Sequence, residues 1–237
     1  MRPAELLVQR QGYEAAFRRQ EVIDAIRSGS LGAIAVAYVE WAGPTDQSLI
    51  VPWTILSNAE SVRAFADKIV AAPLGPSFNS PPWLMGTSIS GALLFAGSLF
   101  SESRSRDTRK VIDISGNGPN NNGPALDSAR RQVIDRGIVI NGLPIVSEEG
   151  ASQFPISDYY EDCVIGGPGA FAIPVRNAAA LEEAIRRKLV LEIAERLPRV
   201  IPASLAPKTH ARIDCSISGH GGGSAEPAMQ AKASAAE

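Results

Sequence analysis

Apolar positions recur along the chain with two rhythms, every three to four residues or in near-continuous short runs, and their alternation predicts the order of elements. From Ala4 to Ser28 the chain is rich in helix formers, with Leu6, Tyr13, Ala16 and Phe17 on one side and Val22, Ile23 and Ile26 continuing after a break near Arg19. One long and one short helix are expected. Gly29 stops the second, and Ala33 to Trp41 is an almost unbroken apolar run, the pattern of a central strand covered on both faces. Leu49 to Ile55 reads as a second strand. Pro52 cannot donate to a ladder and so places it at an edge or a bulge, while Gly43-Pro44 supplies the turn of a hairpin. Asn58 is suited to cap a helix through Val70, with Val62, Phe65, Ala66 and Ile69 facing inward.

The second half repeats the alternation. A proline-rich loop, Pro73 to Gly86, leads to an apolar helix, Ile89 to Phe100, for which Thr87 or Ser88 is the natural N-cap. A polar surface loop, Ser101 to Arg109, precedes a strand, Lys110 to Ser115, which runs into the Gly/Asn-rich turn Gly116 to Gly123. Pro124 suits the first turn of a helix ending near Gly137, and Ile138 to Val146 reads as a strand interrupted by Gly142 and Pro144. A short helix at Asp158 to Val164, a last strand at Ala170 to Val175 and a final helix capped by Asn177 follow. That last helix carries the stripe Leu181, Ile185, Leu189, Ile193 and Leu197. Strands alternating with helices predict an α/β domain over residues 1–197 with a doubly wound, mostly parallel sheet. Beyond Pro198 no periodic apolar face remains, and residues 198–237 read as a disordered tail.

Composition narrows the class. With 23 basic and 25 acidic residues the formal charge is −2, so bulk electrostatics point away from a nucleic-acid partner. The longest apolar runs fall far short of the roughly 20 residues that span a bilayer, so no membrane insertion is expected. Met1 to Arg10 lacks the apolar core of a secretory signal, and as written the product reads as cytoplasmic. The two cysteines, Cys163 and Cys215, lie far apart in sequence with only the first in the folded part, and are expected as free structural thiols.

Both histidines, His210 and His220, lie in the tail, so the folded part has no imidazole to serve as a general base or metal ligand. Gly86-Thr87-Ser88-Ile89-Ser90 lacks the spacing of a nucleophile turn, no Walker-type motif is present, and Gly166-Gly167-Pro168-Gly169 precedes a strand where a dinucleotide fingerprint must follow one. What remains is a site at the carboxyl ends of the strands, where two loops are expected to converge. Thr87, Ser115 and Asn117 are its candidate ligand-binding residues. Their oxygens are hard donors, but neither loop supplies the carboxylate that Mg²⁺ normally requires. The bland alternative is that Thr87 caps a helix and Asn117 makes a turn. Asp113 shares a strand face with Ser115 and is expected either to support the turn or to be an ordinary hydrogen-bonded strand-end Asp.

These loops carry a resemblance. Gly86-Thr87-Ser88-Ile89-Ser90-Gly91-Ala92-Leu93 resembles the threonine loop and helix start of von Willebrand factor A domains. The run from Val111 to Asn121, with Tyr159-Tyr160 to Phe171 and Ala184 to Ala194, more narrowly resembles a bacterial A-like family, domain of unknown function 1194. The resemblance covers nearly all of residues 1–196 and implies a metal-ion-dependent adhesion site built from D-x-S-x-S after the first strand, a threonine and an aspartate. By it Thr87 takes the threonine position, and Asn117 stands where the aspartate is expected. It also implies that the first central strand is missing, since only three residues precede the first helix. A start assigned too far downstream accounts for this, because a methionine often follows that motif and Met1 sits there, and a lost export signal would make the product periplasmic or secreted. A genuine truncation is the alternative. The expectation is a non-catalytic, adhesion-type module with a protein partner, no cofactor in the chain as given and Mg²⁺ only in a fuller form. The rival is an enzyme or small-molecule binder using Asp113 or Glu161-Asp162 as carboxylates.

Overall fold

A computed structural model describes residues 3–73, 86–101, 109–146, 154–177, 180–193 and 212–215. The first apolar stripe folds as α1 (Pro3–Arg18) and α2 (Gln20–Ser28), broken at Arg19, whose extended backbone (φ −66°, ψ 136°) redirects the chain. A hairpin follows, β1 (Ile34–Trp41) and β2 (Gln47–Leu56), antiparallel with register shifts between Val36 and Tyr38 and again between Tyr38 and Val39. Pro52 lies in β2 opposite this irregularity, where its missing N–H costs no ladder bond. Asn58 caps α3 (Ala59–Ala71) reciprocally: its side chain accepts from Ser61 N at 2.8 Å, and Ser61 Oγ accepts from Asn58 N at 3.2 Å.

The second half comprises α4 (Ile89–Leu99), β3 (Lys110–Gly116), α5 (Leu126–Ile134), β4 (Ile138–Pro144), α6 (Ile156–Tyr159) continuing into a π-helical turn (Tyr160–Val164), and α7 (Leu181–Ile193). β3 and β4 pair in parallel from Lys110–Ile138 to Gly116–Pro144. The last strand expected at Ala170 to Val175 is reduced to single bridges, from Ala172 to Gly142 of β4 and from Val175 to Ile145 just beyond it. Gly142 explains how this segment comes so close, since a Cβ there would lie 2.7 Å from the Tyr160 ring and 3.4 Å from Ala172.

Two apolar clusters flank the strands. One joins α1, α2, α3 and α7 with Val51, Leu56, Leu143 and Val175; the other joins α4, α5, α6 and the π-helical turn with Ile112, Ile114, Ile138 and Ile140. Helices on both faces of a mixed set of strands make this an α/β fold, as the periodicity predicted. The final stripe is buried at Leu181, Ile185 and Leu189, while Leu197 and the proline-rich loop from 74 to 85 lie outside the described residues.

Three expectations need correction. β1 is not a strand buried on both faces: most of its residues are partly exposed, because its single hydrogen-bonded neighbour among the described residues is β2. The cysteines are not free thiols, since Cys163 and Cys215 form a disulfide across a separation of 52 residues. Sequence separation was a poor guide, because the chain returns at Arg212 to Cys215 and packs Ile213 and Cys215 against the α4/α5 cluster. The tail therefore has at least one ordered anchor, where Asp162 Oδ2 accepts from Ile213 N at 2.9 Å; the rest of residues 198–237 lies outside the described residues.

Candidate functional site

The carboxyl ends of β1 and β3 meet the start of α4 at one crest. Ser88, not Thr87, is the N-cap of α4: its hydroxyl accepts from Gly91 N at 3.1 Å, and its own N–H donates to Ala42 O, just beyond β1, at 2.8 Å. Thr87 is thereby free of the capping role. The Gly/Asn-rich turn after β3 is laced to this loop by its asparagines. Asn121 Oδ1 accepts from Thr87 N at 2.7 Å, and Asn121 N donates back to Thr87 O at 2.9 Å. Asn120 Oδ1 accepts from Ser90 N at 2.9 Å, while Asn120 N donates to the Tyr159 hydroxyl at 3.2 Å. Asn120 thus satisfies an N–H in the first turn of α4 that the helix could not satisfy internally, and Asn121 ties down the residue before its N-cap.

Close packing explains the glycines. Gly123 has φ 91°, a conformation that favours glycine, and a Cβ there would collide with Ser88 Oγ. A Cβ on Gly118 would lie 3.7 Å from Thr87 Oγ1, so the turn beginning at Asn117 is brought against Thr87. Ser115 is directed elsewhere, its side chain lying close to the Tyr13 hydroxyl of α1. The sequence reading named Thr87, Ser115 and Asn117 and missed the structural part of Asn120 and Asn121. Their signal was the unbroken run Asn120-Asn121-Asn122, since clustered side-chain amides next to a helix start can cap it from outside.

Asp113 lies on the α1/α7 side of β3 and pairs with Lys188 of α7, whose ammonium also donates to Glu192 Oε1 at 2.8 Å. Asn141 Nδ2 donates to the same Glu192 oxygen at 2.6 Å, and its Oδ1 accepts from Phe171 N at 3.0 Å. Lys188 sits 5.7 Å from the centre of the Phe171 ring. Burial pushes the Asp113 carboxyl up to about 7; Lys188 opposes this and Glu192 adds to it. Burial alone would lower Lys188, but the two carboxylates outweigh it and hold the ammonium above its usual value. This is a structural ion network beneath the sheet. Asp162, the other carboxylate of the rival reading, accepts from Ile213 N, and Glu161 is exposed, so the three acids do not converge.

The crest does not fit a divalent cation. Thr87 and Asn117 are neutral donors, the nearby Asp113 is committed to Lys188, and among the described residues no three His, Cys, Asp or Glu side chains gather as a metal set.

With this geometry the comparisons are informative. No curated protein matches the chain. Among solved structures, conserved hypothetical protein BatB from Bacteroides thetaiotaomicron matches with a TM-score of 0.52 and 18% identity over 78% of this chain and 88% of that one. The open conformation of the pilus adhesin SpaC from Lactobacillus rhamnosus GG matches with a TM-score of 0.54 and 12% identity, over 81% of this chain but 28% of the adhesin. Proximal thread matrix protein 1 from the mussel byssus matches with a TM-score of 0.54 and 15% identity, over 78% of this chain and 43% of that one. These likenesses establish a shared fold, of the von Willebrand factor A-like kind. The profile of one family, described as Protein of unknown function (DUF1194), matches residues 1–197, and the chain belongs to that family.

Proposed function

We propose that the chain is a non-catalytic, adhesion-type module that engages a protein partner through the crest formed by the Thr87 loop and the Asn117 turn. The observation that supports this reading is the lacing of the two loops by Asn120 and Asn121, which stiffens a neutral, hydrogen-bonding surface and commits no ionisable group to it. A preformed polar surface loses little conformational freedom on binding, whereas catalysis would call for a nucleophile beside a base. Similarity to a pilus adhesin and a byssal matrix protein agrees with adhesion as the functional class. The disulfide suits an oxidising compartment and so favours the periplasmic or secreted alternative over the cytoplasmic one.

The test is retention of cell-surface and matrix proteins on the immobilised chain, with Thr87→Ala and Asn117→Ala as paired variants whose circular dichroism matches the parent. Both variants should lose a partner that the parent retains. Equal retention by parent and variants would move the binding surface away from the crest.

A further inference from the structure

The turn after β3 needs a glycine at 123 on two counts. Its φ is 91°, and a Cβ there would collide with Ser88 Oγ and lie 3.2 Å from Ser90 Oγ. The residue before it is Asn122, so the packing of the turn against α4 enforces an Asn-Gly step at this point. Asparagine is a chemically labile side chain. It is most labile before glycine, because the next residue then has no Cβ to obstruct the approach of its nitrogen to the asparagine Cγ. The chain holds two further steps of this kind, Asn117-Gly118 and Asn141-Gly142.

The fold treats the three steps differently. Asn122 is exposed, and the Gly123 N–H donates to Asn122 Oδ1 at 2.8 Å, so the nitrogen already sits beside the carboxamide it would attack. Asn141 is the opposite case. It is 0% exposed in β4, its Nδ2 donates to Glu192 Oε1, its Oδ1 accepts from Phe171 N, and the Gly142 N–H donates to Phe171 O at 3.0 Å. Nucleophile and carboxamide are both occupied there, and water has no access. Asn117 stands between the two: it is half-buried, and no hydrogen bond among the described residues holds the Gly118 nitrogen against its side chain. Asn117 and Asn122 are each followed by Gly-Pro, so the local sequence is the same and only the fold distinguishes them.

We propose that Asn122 is a site of spontaneous deamidation, which places a carboxylate beside the Thr87 loop. The Gly123 nitrogen, losing its proton to water, bonds to Asn122 Cγ; the Cγ–Nδ2 bond breaks and ammonia leaves, closing a cyclic imide. Water then adds at either ring carbonyl and breaks the C–N bond there. Opening at Cγ gives aspartate, and opening at the main-chain carbonyl gives isoaspartate, in which the peptide runs through the side chain. Asn122 Cβ lies 2.9 Å from where a Cβ on Gly86 would sit, so either product brings a negative charge next to Thr87 on a crest whose hydrogen-bonding groups are neutral. The reaction needs only water, and it does not depend on the crest binding a partner.

The test is to incubate the full chain at mildly alkaline pH, folded or in urea, and to follow each Asn-Gly step by peptide mapping with fragmentation that separates aspartate from isoaspartate. In the folded chain Asn122 should convert about tenfold faster than Asn117, the advantage of a nucleophile held in place, and Asn141 should not convert. In urea Asn117 and Asn122 should convert at similar rates and Asn141 should join them. The folded chain should also gain an acidic form on ion exchange. Asn122→Gln, whose longer side chain closes the ring far less readily, should keep its circular dichroism and form that species much more slowly. An Asn122 that stays intact in the folded chain while it converts in urea would overturn the proposal. So would an Asn117 that converts as fast as Asn122 in the folded chain, or an acidic form that appears in Asn122→Gln at the parent's rate.

Discussion

Arg10 shows how much one buried charge can organise. Its guanidinium grips Glu40 of β1 in two hydrogen bonds of 2.6 and 2.9 Å and also reaches the carbonyls of Ala72 and Pro73 after α3, so three elements meet at one side chain. Both partners are almost fully buried, and removing one leaves the other charge uncompensated. Arg10→Met should therefore destabilise the chain by about 3–5 kcal/mol in urea denaturation, far more than loss of the exposed Arg186–Glu183 pair, worth at most about 1 kcal/mol. Asp113 makes a different prediction. Its carboxyl titrates near 7 in the folded chain, above the usual carboxylate range, so the folded state holds this proton more tightly than the unfolded one. Stability from this group is greatest below about pH 4 and declines as the pH rises to about 7. Asp113→Asn should flatten that decline, read from urea midpoints at pH 5 and pH 8, and Glu192 remains to pair Lys188. At the crest the charges are missing instead. Calorimetry should find Mg²⁺ binding weak or absent in the parent, and Asn117→Asp alone should improve it little, because the ligands of one ion act together. Tight binding abolished by Thr87→Ala would mean that other acids complete the site.

The π-helical turn Tyr160–Val164 ties the crest to the chain's later segment. Tyr160 lies over Gly116 and Gly142, while three residues on Cys163 is joined to Cys215. The bond pins Arg212–Cys215 onto the α4/α5 cluster, and closing a loop of 52 residues lowers the entropy of the unfolded chain, worth about 4 kcal/mol in the loop-closure picture. Reduction, or Cys215→Ser, should lower the melting temperature and expose the segment around Ile213 to protease while α7 stays resistant. A melting temperature indifferent to reductant would show that the strap adds nothing to the core. α4 is bound on several sides: Trp53 Nε1 of β2 donates to Leu99 O at 3.2 Å, and Trp53 and Phe100 pack with ring centres 5.2 Å apart. Its amino-terminal end is held by Ser88 and the asparagines, so the crest rests on a helix fastened at both ends.

At the scale of the whole molecule, the described residues form two strand pairs, β1 with β2 and β3 with β4, which the helices hold together. α1 reaches β1 through Tyr13, whose ring packs against that of Tyr38, and α4 packs on β2 and β3 from the opposite face.

The sequence by itself determined the elements and their order, because helix and strand periods are local and the amphipathic faces at Val62, Phe65, Ile69, Leu181, Ile185 and Leu189 leave one inward side. It also marked the crest, since a Gly/Asn-rich turn after a strand and a Ser/Thr pair before a helix are local signatures. The Cys163–Cys215 bond, the Arg10–Glu40 clamp and the Asp113–Lys188–Glu192 network join residues separated by 52, 30 and 75 positions, and no local pattern encodes such partners. The exposure of β1 was likewise beyond reach of the apolar run from Ala33 to Trp41: composition tells how a strand would like to be covered, and only the arrangement of its neighbours decides whether it is.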